Sequence, residues 1–91
     1  MPAADVVVYV TSYCPYCTRA KALLAKKGAA YREVDVSNDE AKRVWLAKAT
    51  GQRTVPQIFI NDVSVGGFDE LATLERQGKL TALLDAPKPA S

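Results

Sequence analysis

The chain has 91 residues, 12 basic and 10 acidic side chains and a net charge of +2, with two cysteines and no histidine. That length suits one small domain with a single core, and the near-balanced charge excludes a dedicated nucleic-acid binder, which would cluster its basic residues. The lack of histidine excludes Cys–His and Ser–His nucleophile systems and His-containing zinc sites, and two cysteines cannot close a four-ligand zinc site within one chain.

The first residues, Met1-Pro2-Ala3-Ala4-Asp5, lack the basic start and apolar run of a secretory signal. No apolar stretch approaches the roughly 20 residues of a membrane span. A soluble, cytoplasmic protein with no membrane partner is the expectation. In a reducing compartment a structural disulfide is disfavoured and a reactive dithiol favoured.

Val6 to Val10 is apolar and β-branched, and reads as a buried strand. A helix is expected from Pro15 to Lys27, with Tyr16, Ala20, Leu23 and Leu24 on its inward face and Gly28 as the stop. Tyr31 to Val36 alternates apolar and polar, so a second strand follows, completing a βαβ unit with parallel strands. Ser37-Asn38-Asp39-Glu40 carries capping residues and first-turn acids for a second helix from Ala41 to Thr50, closed by Gly51. Its inward face is ambiguous, because Val44, Trp45, Leu46 and Ala49 cannot all point in. Trp45 reads as a packing residue, and Arg19, Lys26 and Lys27 as a solvated face. Pro56 opens a third strand, Gln57 to Ile60. The Asn61-Asp62 pair turns the chain back into an antiparallel strand from Val63 to Val65. Gly66-Gly67 ends it, serving a bend or a close backbone approach. A third helix starts at Phe68, with Leu71 and Leu74 inward, and Leu80, Leu83 and Leu84 suggest one more amphipathic turn. The core then spans about residues 5–84, with 85–91 as a flexible tail. The resulting fold class is α/β, with a mixed four-stranded sheet flanked by helices and a single domain over 1–91.

The chemistry is concentrated in Thr11-Ser12-Tyr13-Cys14-Pro15-Tyr16-Cys17, between the first strand and the first helix. The first N–H groups of a helix lack internal partners, and the macrodipole places partial positive charge there. Both favour a thiolate over a thiol, so a Cys-x-x-Cys at a helix start yields a nucleophile near neutral pH. Pro15 fits the first helical position, where a missing N–H costs nothing. Cys14 is expected to be the exposed, attacking sulfur, and Cys17 the buried, resolving one. A Cys-x-x-Cys near a βαβ unit is itself a thioredoxin-like redox signal.

Three separated segments carry a family resemblance. Cys14-Pro15-Tyr16-Cys17, Thr54-Val55-Pro56-Gln57-Ile58-Phe59-Ile60 and Gly66-Gly67-Phe68-Asp69-Glu70-Leu71 together resemble a dithiol glutaredoxin. The resemblance runs from about Val6 to Leu84. It implies a thioredoxin fold, a cis Val55–Pro56 bond and glutathione as co-substrate, with no metal. It also implies a site in which the Val55 backbone pairs with the cysteine of glutathione, flanked by Thr54, Pro56 and Gly67. Arg43 then matches a ligand for the glycine carboxylate. Phe68 and Asp69 match the hold on the γ-glutamyl end, with the Asp69 side chain facing the ammonium. A helix start is a ready carboxylate site on general grounds. Tyr16 is placed either in core packing or at the edge of this groove. Thr11 stands where many family members carry a lysine, which removes one charge from the thiolate and from the ligand.

The implied activity is thiol–disulfide exchange on glutathionylated proteins and protein disulfides, by a monomer. Two other readings stand beside it. One is a dimeric carrier of a [2Fe–2S] cluster ligated by Cys14 and glutathione, which Pro15 disfavours by the family trend. The other is a thioredoxin-like donor served by a flavoprotein reductase.

Overall fold

The computed structural model describes residues 3–88. Its elements in chain order are β1 (Val6–Val10), α1 (Pro15–Lys26), β2 (Arg32–Asp35), α2 (Glu40–Thr50), β3 (Gln57–Ile60), β4 (Val63–Gly66), α3 (Phe68–Arg76) and α4 (Leu80–Asp85). The sheet order is β2-β1-β3-β4, with β1 parallel to β2 and antiparallel to β3, and β3 antiparallel to β4. The expected mixed four-stranded sheet is therefore present.

Alternation along β1 divides the sheet into two faces. Val6, Val8 and Val10 join Ile58 and Ile60 beneath α1, α3 and α4, where Cys17, Ala20, Leu24, Leu71, Leu80 and Leu84 complete the core. Tyr9 points to the opposite face. There it meets Phe59 edge-on at 5.5 Å and Trp45 of α2 at 5.7 Å. Leu46 is the one buried residue of α2, while Val44 and Trp45 stay almost half exposed, which settles the ambiguous face of this helix. Trp45 packs, as expected, and stacks on Phe59 at 6.0 Å.

The turns follow local chemistry. Asn61 and Asp62 both adopt positive φ, the backbone of a two-residue hairpin whose twist matches its strands. Asp39 caps α2, its Oδ1 accepting from the Lys42 N–H at 2.9 Å. Ser37, in the same expected capping cluster, instead accepts from the Ser12 N–H at 2.7 Å and ties the cysteine loop to the β2–α2 loop. β2 is shorter than expected: Tyr31 and Val36 fall outside it, although the Val36 N–H still reaches the Val10 carbonyl at 2.8 Å and its side chain is buried.

One helix face needs correction. Tyr16 is 54% exposed, so it does not share the inward stripe with Ala20 and Leu24; Cys17 takes that place. The buried stripe of α1 is Cys17, Ala20 and Leu24, at i, i+3 and i+7, and Tyr16 lies one residue off it, beside Phe68. Of the tail, residues 85–88 make contacts: Asn61 Nδ2 donates to the Ala86 carbonyl, and Lys88 pairs with Asp5 and Asp62. Residues 89–91 of the expected flexible tail lie outside the described residues.

Candidate active site

β1 delivers the chain to the end of the sheet, and α1 begins there. Cys14 is the N-cap of α1, in extended conformation, and its Sγ accepts from the Cys17 N–H at 3.2 Å. Pro15 follows at the helix start, as its geometry demands. The Cys14 thiol also reaches the Val55 carbonyl at 3.7 Å. One turn on, Cys17 is 2% exposed. Burial pushes its thiol up to about 12, and the hydrogen bond and charge of Cys14 add to that; the Thr11 backbone and Lys21 pull weakly the other way. The pair is free, not bridged. An accessible sulfur with a helix N–H aimed at it thus sits over a protonated, buried one.

The Val55–Pro56 bond is cis, as the resemblance implied. Beside it lies a depression of about 320 Å³ lined by Tyr16, Gln52, Thr54, Val55, Pro56, Gly67, Phe68, Asp69 and Glu70. Gly67 permits the approach of its walls: a Cβ there would stand 3.3 Å from the Pro56 carbonyl oxygen. Gly66 has φ +112°, and a Cβ would meet Glu70 Oε1 at 2.5 Å. Glu70 is held in that position by the Gly67 N–H, which donates to Oε1 at 3.0 Å. The Phe68 and Asp69 N–H groups open α3 at the wall of this depression, ahead of the first internal helix bond from Leu71 to the Gly67 carbonyl.

A second depression, of about 380 Å³, adjoins the first through Gln52, Thr54 and Val55. Arg43, Lys48 and Arg53 line it, and none of the three is in an ion pair among the described residues. The composite groove is therefore polar in two senses. Its α2 end is basic, while its α3 end offers helix N–H groups beside the Asp69 carboxylate.

Most of the sequence-derived site residues come together here. Tyr16, Thr54, Val55, Pro56, Gly67, Phe68 and Asp69 line the first depression, and Arg43 lines the second. Tyr16 belongs to the groove edge, not to the core. Thr11 lines neither depression; its backbone faces Cys17. Sequence reasoning missed Gln52 and Arg53, which lie between the second helix and Pro56. It also missed Gln57. This side chain is wholly buried, and its Nε2 donates to Gln52 Oε1 and the Thr54 carbonyl, both at 2.9 Å. Gln57 thereby holds the segment that walls the groove, while its Oε1 has no partner among the described residues. Gln57 shares the face of Tyr9 and Phe59, opposite Ile58 and Ile60, and a polar residue flanking Pro56 in an otherwise apolar strand was the one available signal. A further depression, about 680 Å³ between β4, α3 and the C-terminal turn, is, like the other two, lined by neither cysteine.

A mixed sheet with a Cys-x-x-Cys at the start of the first helix, facing a cis-proline loop, defines a thioredoxin-fold dithiol protein. The comparisons narrow that class. The glutaredoxin family profile matches residues 6–65. A glutaredoxin of Pseudomonas aeruginosa is 51% identical over 81 residues, covering 89% of this chain and 96% of its own. A Brucella melitensis glutaredoxin structure gives a TM-score of 0.83 at 48% identity, covering 93% of this chain and 92% of that one. A buckwheat glutaredoxin–glutathione complex gives 0.84 at 37% identity, covering 89% and 76%. The chain belongs to the glutaredoxin family, and it is a thiol–disulfide oxidoreductase with Cys14 and Cys17 as its redox-active pair.

Proposed function

We propose that the protein is a cytoplasmic, monomeric, glutathione-dependent reductase of protein–glutathione mixed disulfides and of protein disulfides. The observation that carries this is the Cys14 sulfur at the cap of α1, receiving the Cys17 N–H at 3.2 Å beside a peptide-sized groove. Such a donor at a helix start stabilises a sulfur anion more than a thiol. The glutathione bound by the buckwheat relative supports the choice of ligand.

The groove suits an extended tripeptide with charged ends. The Val55 backbone borders it, ready for strand-like pairing with the cysteine of glutathione. The γ-glutamyl carboxylate meets the Phe68 and Asp69 N–H groups, and the Asp69 carboxylate faces the ammonium. The glycine carboxylate lies toward Arg43 and Arg53, past Thr54.

In the first reaction the Cys14 thiolate attacks the glutathione sulfur of a mixed disulfide. A Cys14–glutathione disulfide forms, the original S–S bond breaks, and the substrate thiolate leaves and takes a proton. A second glutathione, as thiolate, attacks the glutathione sulfur on Cys14, forming oxidised glutathione and returning the Cys14 thiolate. With a protein disulfide, Cys14 bonds to one substrate sulfur and expels the other. The expelled thiolate takes the Cys17 proton; Cys17 attacks the Cys14 sulfur, the Cys14–substrate S–S bond breaks, and the substrate leaves as a second thiolate that is protonated by water. Two glutathiones reduce the internal disulfide. Burial holds Cys17 as a thiol in the reduced protein. Reduction of the cysteine–glutathione mixed disulfide, with either glutathione or a thioredoxin reductase as electron source, tests the reading. Turnover with glutathione alone is expected; turnover only with the flavoprotein contradicts it.

A further inference from the structure

Tyr13 is 89% exposed, more than any other large apolar side chain among the described residues. Single exposed apolar residues are ordinary on a protein surface. This one stands beside the reactive sulfur, and its backbone is pinned on both sides. The Ser12 N–H is tied to Ser37 Oγ, and Cys14 is tied into the first turn of α1. The ring itself has no aromatic or cationic partner among the described residues. Tyr16 is different. It borders the groove, its ring centroid 6.3 Å from that of Phe68, with Arg19 at 5.3 Å from its ring. Tyr13 lines none of the depressions described above. The two tyrosines around Cys14 are thus divided, one on the groove and one off it.

We propose that Tyr13 is a docking contact for the polypeptide that carries the target cysteine, separate from the contacts that hold glutathione. This rests on the glutathione reading above. When Cys14 attacks a glutathionylated protein, the attacked sulfur belongs to glutathione, whose peptide lies in the groove. The leaving sulfur belongs to the protein and departs on the side away from Cys14. The polypeptide is then confined to the rim, outside the walls formed by Val55, Pro56 and Gly67. Tyr13 is next in the chain to the attacking sulfur and lies outside those walls. It offers a rigidly based aromatic face there. A tyrosine has two side-chain torsions to order, so it buries a large area at small entropic cost and tolerates varied partners. A small mixed disulfide carries no polypeptide to reach it.

The test compares two substrates in full-length protein: glutathionylated serum albumin and the cysteine–glutathione mixed disulfide. Tyr13→Ser is expected to lower kcat/KM on albumin about fivefold, through KM, and to leave the small substrate unchanged. Tyr13→Phe keeps both rates, because the ring and not the hydroxyl makes the contact. Unchanged albumin turnover in Tyr13→Ser, or equal losses on both substrates, overturns the docking role. Failure of the unsubstituted chain on both substrates is a different result: it refutes the glutathione reading, and the docking role falls with it.

Discussion

Cys14 and Cys17 are one helical turn apart and occupy different media. Cys14 is half-buried at the rim of the core, its sulfur between the Cys17 N–H and the carbonyl of Val55, which borders the groove. Around Cys17 is the apolar core, with Val8, Val10, Ala20, Ile58 and Leu71 in the same cluster. The same element, the first turn of α1, therefore presents one sulfur to a helix N–H at the groove edge and withholds the other as a buried thiol. The difference teaches that reactivity here is set by depth along one helix, not by residue type. Pro15 and the extended backbone of Cys14 fix where the helix starts, and that start decides which sulfur is outside.

Removing the exposed sulfur breaks the comparison most severely. Cys14→Ser is expected to lower glutathione-dependent turnover of a small mixed disulfide by at least about 1,000-fold, since the nucleophile itself is gone. Cys17 is too deep and too strongly protonated to replace it. Steady-state assay of the variant checks this.

The core side is tested next. Leu24 is fully buried under the sheet in the same cluster as Cys17. Leu24→Ala is expected to cost about 3 kcal/mol of stability in urea unfolding, by lost transfer energy and the cavity left behind. Under native conditions the alkylation rate of Cys14 should be unchanged, because the helix end that activates it remains. A loss of Cys14 reactivity in the folded variant would mean that the rim depends on core packing more finely than the geometry says.

Cys17→Ser sharpens the contrast between the two sulfurs. Reduction of a protein disulfide should fall about 100-fold, because the mixed disulfide on Cys14 loses its internal attacker. Turnover of the small mixed disulfide should hold within about twofold, because glutathione resolves it from solution. Equal losses in both assays would refute the assigned roles.

The smallest expected effect lies at Thr11. Thr11→Lys should lower the KM for glutathione about threefold, a value set by one partly screened charge near a carboxylate. The effect should shrink at high salt. An unchanged KM at low salt would remove Thr11 from the account of glutathione affinity; the Thr11 side chain lines neither half of the groove.

Much of this arrangement is legible in the sequence because it rests on local rules. Val6–Val10, the Asn61-Asp62 hairpin, the glycine stops and the sulfur pair at a helix start each follow from neighbours in the chain. What escaped depends on direction in space. Tyr16 has a spacing that suits the stripe of α1, yet Cys17, Ala20 and Leu24 form that stripe and Tyr16 turns to the groove beside Phe68. Four apolar residues on α2 compete for one inward direction; Leu46 takes it, while Trp45 lies half exposed over the rings of Tyr9 and Phe59. Arg53 and Gln52 look like loop residues until Gln57 folds their segment over the groove. Ser37 looks like a helix cap and is instead a strut to Ser12.

The central claim concerns which sulfur is presented to solution, and mass mapping of alkylation measures it directly. The reduced, folded chain is treated briefly with iodoacetamide at pH 7, quenched and digested. Burial pushes the Cys17 thiol up to about 12, so it stays protonated at that pH. The account predicts carbamidomethyl label on Cys14 and essentially none on Cys17. Equal labelling of the two, or earlier labelling of Cys17, would contradict it.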